Sequence, residues 1–172
     1  RLYLGYLQKC RREMRKPKPG KGVLILKDND SFDTANAMVK IIDRYQNSPC
    51  VIKAAKTVAK LSEQHGFTLP YALALFALKS AYFVPDTEKV QTIRTPLNTL
   101  RTKSANCVDY TVLICCIAKH FTENVAFEIC DLGGYGFDHV RPVINGDVVD
   151  VVPDQNEDGS ERYSRKTGIL PN

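Results

Sequence analysis

The sequence predicts an α+β fold in which a helical first half precedes a small antiparallel sheet, and three observations carry that expectation. The chain has 172 residues, 44% of them apolar, enough for one globular domain around a single core. Its apolar residues recur at helical spacing as far as His120 and then alternate with a period of two. Asn145-Gly146, set between two apolar segments, is the strongest short signal for a two-residue type I′ hairpin. The expected organisation is a basic helix and Lys/Pro linker over residues 1–22, one domain over 23–155, and a polar tail over 156–172. Within the domain, 23–94 form a helical subdomain and 95–155 form a second segment that holds the sheet.

Each element has a local reason. Tyr3, Tyr6, Leu7, Cys10 and Met14 lie on one helical stripe edged by Arg11, Arg12 and Arg15, which reads as a basic amphipathic helix. Residues 16–22, Lys-Pro-Lys-Pro-Gly-Lys-Gly, cannot continue it, because proline lacks the amide donor and glycine is too free. A short apolar run, 23–26, comes next. Ser31 and Asp33 offer caps to a helix carrying Met38, Ile41, Ile42 and Tyr45, which ends at Asn47-Ser48-Pro49. Val51, Ala54, Ala55, Val58 and Leu61 make a second amphipathic helix, stopped near His65-Gly66, where a histidine suits the negative helix end. A third helix, over 70–82, is apolar nearly all round and should be central.

Thr95-Pro96 starts a short helix that runs through Arg101, and another helix begins near residues 104–106 and continues to His120. Its Val112, Leu113, Ile114, Ile117 and Ala118, together with Cys115 and Cys116, leave little polar surface, so it must be buried. Residues 125–130 read as a strand and 131–137 as a glycine-rich loop. A hairpin follows, with strands over 139–144 and 147–152. Pro142 requires its strand to be an edge, or to turn the missing amide away from the ladder.

Composition excludes several classes. Net charge is +5, but residues 1–27 hold nine Lys or Arg against one Glu, leaving 15 basic and 18 acidic residues elsewhere. A basic arm on a near-neutral domain suggests that the arm meets any anionic partner, whether nucleic acid, membrane surface or acidic protein. The longest apolar stretch, 69–78, falls short of the roughly 20 residues that cross a bilayer, so no transmembrane span is expected. No signal-peptide pattern opens the chain, and Arg1 in place of Met suggests a processed or trimmed product. The six cysteines, at 10, 50, 107, 115, 116 and 130, form no metal-ligand spacing, so neither a metal nor a cofactor is expected. If one of them stays a free nucleophile the remaining number is odd, which fits reduced thiols and an intracellular compartment.

One constellation carries chemistry. Cys107 falls in the first turn of the buried helix, where the helix dipole and unpaired backbone N–H groups favour negative charge on sulfur and can hold an oxyanion. Asp109 in the same turn opposes that, so a neighbouring imidazolium is needed. His139 supplies it if the hairpin packs on the helix start. With a two-residue turn His139 faces position 152, and Asp150 and Asp154 then share its face. Either aspartate could orient the imidazole; Asp150 is preferred because it lies inside the return strand, whereas Asp154 follows Pro153 and leaves the ladder. His65 and His120, at helix ends, receive no catalytic role.

Thr95-Pro96, Leu100, Asn106-Cys107-Val108-Asp109-Tyr110 before an apolar helix, Phe137-Asp138-His139-Val140, and Val148-Val149-Asp150 together resemble the transglutaminase-like superfamily. The resemblance implies a papain-like core over 95–155, with Cys107 as nucleophile, His139 as base and Asp150 as orienting acid. It also implies acyl transfer through a thioester, from a glutamine carboxamide or a peptide carbonyl, resolved by an amine as a crosslink or by water as in an amidase or thiol protease. Val108 departs from the family's frequent acidic residue, and Arg141 stands where an aromatic is common. Short bacteriophage proteins resemble the same family, so a virion-associated location is a second expectation. The rival reading is a structural or virion-associated binding module tethered by its basic arm.

Overall fold

A computed structural model of the chain describes residues 22–27, 31–86, 90–130 and 139–152. The expected basic helix over 1–15, most of the linker, the loop over 131–137, Asp154 and the polar tail lie outside the described residues.

The architecture is α+β. Strand β1 (Val23–Lys27) pairs antiparallel with β3 (Val90–Arg94), Val23 standing opposite Arg94 and Lys27 opposite Val90. Between them run helices α1 (Ser31–Tyr45), α2 (Pro49–His65) and α3 (Leu69–Ser80), then the two-residue strand β2 (Tyr82–Phe83). Helix α4 (Pro96–Thr102), strand β4 (Ser104–Ala105) and helix α5 (Cys107–Ala118) follow. Strands β5 (Val125–Cys130), β6 (His139–Ile144) and β7 (Asp147–Val148) form a second antiparallel sheet with β6 in the middle.

Local chemistry sets the breaks. Extended Ser48 and Thr68 precede α2 and α3, each with a proline in the first turn, where the missing amide loses nothing. Gly66 closes α2 at φ 67°, its N–H bonded to the Ser62 carbonyl. Thr95 caps α4, its hydroxyl accepting from the Asn98 amide. Asn145 and Gly146 both take positive φ, as a type I′ turn demands.

The core sits around α5, whose residues from Val108 to Ala118 are all buried. Helices α1, α2, α3 and α4 pack on it, as do strands β3, β4, β5 and β6. This position corrects the expectation that the third helix is central: Leu78 of α3 is 48% exposed. That helix also stops at Ser80, because the next residues leave to pair in parallel with β4, Tyr82 N donating to the Lys103 carbonyl. Strands within 23–94 are a second difference from the purely helical expectation, since an isolated apolar run cannot announce its partner. Gly22, placed in the linker by sequence, belongs to the fold: its carbonyl accepts from Thr95 N at 2.9 Å. Among the described residues no helix is long and apolar enough to cross a membrane.

Candidate active site

Cys107 opens α5 and is only half-buried, unlike the residues that follow it. Asn106 is the N-cap, and its side chain accepts from Asp109 N at 2.8 Å while Asp109 Oδ2 accepts from Asn106 N at 3.1 Å. This reciprocal box accounts for Asp109 N, and Tyr110 N bonds to the Asn106 carbonyl. The N–H groups of Cys107 and Val108 are therefore the first-turn donors without an intrahelical acceptor, and they lie next to the sulfur.

Asp109, 0% exposed, accepts from Arg94 N at 2.6 Å and from Arg94 Nη1 at 2.5 Å. Burial raises its carboxyl above the usual range, and the Arg94 and Asn106 donors pull in the other direction. The charge expected to oppose Cys107 is thus paired with a guanidinium. Asn106 Nδ2 in turn donates to Asp86 Oδ2 at 2.7 Å and to the Thr92 carbonyl at 2.8 Å, and Asp86 also accepts from Thr92 N. Asp86, Arg94 and Asn106 had no part in the sequence-level site. Asn-x-x-Asp at a helix start is a readable capping signal; Arg94 and Asp86 come from distant segments and have none.

One helical stripe joins α5 to the sheet. Thr111, one turn beyond Cys107, donates to the Val140 carbonyl at 3.2 Å, and Cys115, a turn further, donates to the Ala126 carbonyl at 3.6 Å. Thr111 thereby fixes the start of β6 beside the start of α5. Burial pushes the Cys115 thiol up to about 12 and raises Cys116 as well, so both stay protonated.

His139 begins β6, and its Nε2 lies 2.7 Å from Asp150 Oδ2. The Cys107 side chain is the other neighbour that acts on the imidazole, whose Nε2 is engaged by Asp150. Burial by itself lowers the His139 pKa; its interactions with Asp150 and Cys107 outweigh that and raise it from 6.5 to about 9. Asp150 Oδ1 accepts from Val152 N at 3.1 Å. The structure thus brings Cys107, His139 and Asp150 into one row, His139 bonded to Asp150 and interacting with Cys107, while Asp154 falls outside the described residues. Asp150 is not inside a long return strand as expected, for β7 ends at Val148.

His65 stacks on Phe67 with ring centroids 5.1 Å apart, and His120 Nε2 lies 2.8 Å from the Gln46 carbonyl. His120 lies past the opposite end of α5 from Cys107. Among the described residues no group of three His, Cys, Asp or Glu is arranged to hold a metal ion. Comparison with protein-family models, curated proteins and solved structures finds no match to this chain.

Proposed function

We propose that this chain is a cysteine acyl-transfer enzyme with a transglutaminase-like, papain-like core, acting on a glutamine carboxamide or a peptide carbonyl. The observation that carries the reading is the row Cys107–His139–Asp150, with a raised imidazole pKa between a half-buried thiol and a carboxylate 2.7 Å away. Such a row is a nucleophile, its proton carrier and the group that orients the carrier.

The Cys107 thiol gives its proton to His139 as the sulfur attacks the carbonyl carbon, and as the C–S bond forms the carbonyl π electrons move onto oxygen. The Cys107 and Val108 N–H groups stabilise that oxyanion. When the C=O bond re-forms, the C–N bond breaks and the His139 imidazolium gives its proton to the departing nitrogen, leaving a thioester. Neutral His139 then takes a proton from the incoming amine or water as it attacks the thioester carbon; the C–S bond breaks as the C=O bond re-forms, and the His139 proton returns to sulfur, which yields a crosslink or a hydrolysed product and regenerates the thiol.

Iodoacetamide at pH 6, with the modified residue located by mass spectrometry, tests this. Selective labelling of Cys107 that is lost in His139→Ala supports the reading; uniform labelling of the cysteines only at high pH overturns it.

A further inference from the structure

Among the described residues, strand β3 has a strand partner on one side only, β1. In an antiparallel pair a residue's N–H and C=O point to the same side, and the side alternates along the strand. Thr95 N bonds to the Gly22 carbonyl in continuation of the β1 register, which puts Ile93 and Thr95 on the β1 side and turns Thr92 and Arg94 to the free edge. Side chains cover that edge. Thr92 N donates to Asp86 Oδ2 at 2.9 Å, the Thr92 carbonyl accepts from Asn106 Nδ2 at 2.8 Å, and Asn106 Nδ2 also donates to Asp86 Oδ2 at 2.7 Å, so the three bonds close a ring. Further along the same edge, Arg94 N donates to Asp109 Oδ1. The first turn of α5 is therefore laid along β3, with Asn106 at Thr92 and Asp109 at Arg94.

Asn106 comes directly before Cys107 and is bonded at each of its polar atoms. Its N–H and its Oδ1 are bonded to Asp109, and its carbonyl accepts from Tyr110 N, all within α5. Only Nδ2 ties the residue to other segments, through Asp86 and the Thr92 carbonyl. These two acceptors also set which way round the carboxamide lies. Turned over, it would place Nδ2 against Asp109 N, donor against donor, and Oδ1 against a carboxylate and a carbonyl. The residue is 3% exposed, so water does not relieve such a mismatch. Asp86 is itself held, since Gln91 Nε2 donates to the same Oδ2 at 2.7 Å.

We propose that Asp86 is a positioning residue, which fixes the Asn106 carboxamide against the β3 edge and so holds Cys107, with the N–H groups of Cys107 and Val108, in place for attack. The assignment deepens the acyl-transfer reading and rests on it for its role in catalysis. It has a sign that separates it from a bare charge effect. Acting only as a negative charge near the first turn, Asp86 would disfavour negative charge on sulfur, and its removal would speed alkylation. Acting as a clamp, its removal frays the turn and weakens the helix-end support for that charge, so alkylation slows. Its bonds from Asn106, Gln91 and Thr92 all end on Oδ2, so an asparagine can keep them while losing the charge, whereas a leucine keeps neither.

The experiment combines native-state hydrogen exchange with iodoacetamide labelling of Cys107 at pH 6 in the full chain, in wild type, Asp86→Asn, Asp86→Leu and Asn106→Ala. In Asp86→Leu the Asp109 and Tyr110 amides are expected to exchange about fivefold faster or more, as for a lost cap, while the Ile114 amide in the middle of α5 keeps its rate. Labelling in Asp86→Leu should slow by most of the Asn106→Ala effect, and Asp86→Asn should stay close to wild type in both measurements. Faster labelling in both Asp86 variants overturns the proposal. So does wild-type exchange at Asp109 in Asp86→Leu, or an equal rise at Ile114, which marks a general loss of stability. If Asp86→Leu does not fold, Asp86→Glu takes its place, because it keeps the charge and displaces the oxygen by one methylene; wild-type exchange at Asp109 there overturns the proposal as well. Exchange needs neither turnover nor a reactive thiol. Faster exchange at Asp109 in a chain without acyl-transfer activity refutes the reaction and keeps the clamp, whereas unmoved exchange in an active chain refutes the clamp alone.

Discussion

His139 lies between a thiol and a carboxylate, and its pH behaviour follows from that position. Its folded pKa of about 9 is above the ordinary 6.5, so the stabilisation it brings is complete below about 6.5 and is lost as the pH rises through about 9. Urea midpoints measured from pH 6 to 10 should fall across that window, and the fall should flatten in Asp150→Asn. The same imidazolium is the proposed acid for the leaving nitrogen, so turnover should show an alkaline limb near 9 that moves down by a unit or more in Asp150→Asn. Cys115 and Cys116, whose thiols burial keeps protonated, should resist alkylation in the native chain at pH values where Cys107 reacts. At this scale the sequence is informative about Cys107 and His139, because a helix start and a hairpin start are local signals. It leaves Asp150 and Asp154 as alternatives, since register alone puts both on one face.

The start of α5 is organised by residues from two other segments, β3 and the stretch that holds Asp86. Asp109 accepts two bonds from Arg94, and Asn106 reaches Asp86 and the Thr92 carbonyl. Removing one partner leaves a buried group unpaired, which costs more than the pair itself contributes. Arg94→Met should lower stability by about 3–5 kcal/mol, and the double variant Arg94→Met/Asp109→Asn should recover part of that, as read by denaturant titration. Asn106→Ala removes the cap and should cost about 0.5–2 kcal/mol while slowing Cys107 alkylation, because the first turn then frays. Helix breaks at Pro49, Gly66 and Pro96 are legible from single residues. The ends of α3 and β7 are not: the first depends on pairing with β4, and the second on which neighbour Pro142 faces.

In the molecule as a whole, α5 is the element on which the helices and the second sheet both pack. A cavity at its centre should be felt globally: Leu113→Ala, at a site with 0% exposure, should cost about 2–5 kcal/mol in two-state unfolding. Gly22 makes a similar point at the edge of the fold. It sits at φ 99°, and an added Cβ would come within 2.9 Å of Thr95 Oγ1, so Gly22→Ala should destabilise the junction of β1 with α4. Sequence by itself determines the α+β class, the helix starts and stops, the Asn145-Gly146 turn and the burial of α5, because each depends on residues close along the chain. Only tertiary structure decides that β1 pairs with β3, that Asp109 faces Arg94, and that Pro142 ends its ladder where Asp150 reaches His139. Those outcomes join groups distant in sequence, and no local propensity records which of several possible partners the packing brings within bonding distance.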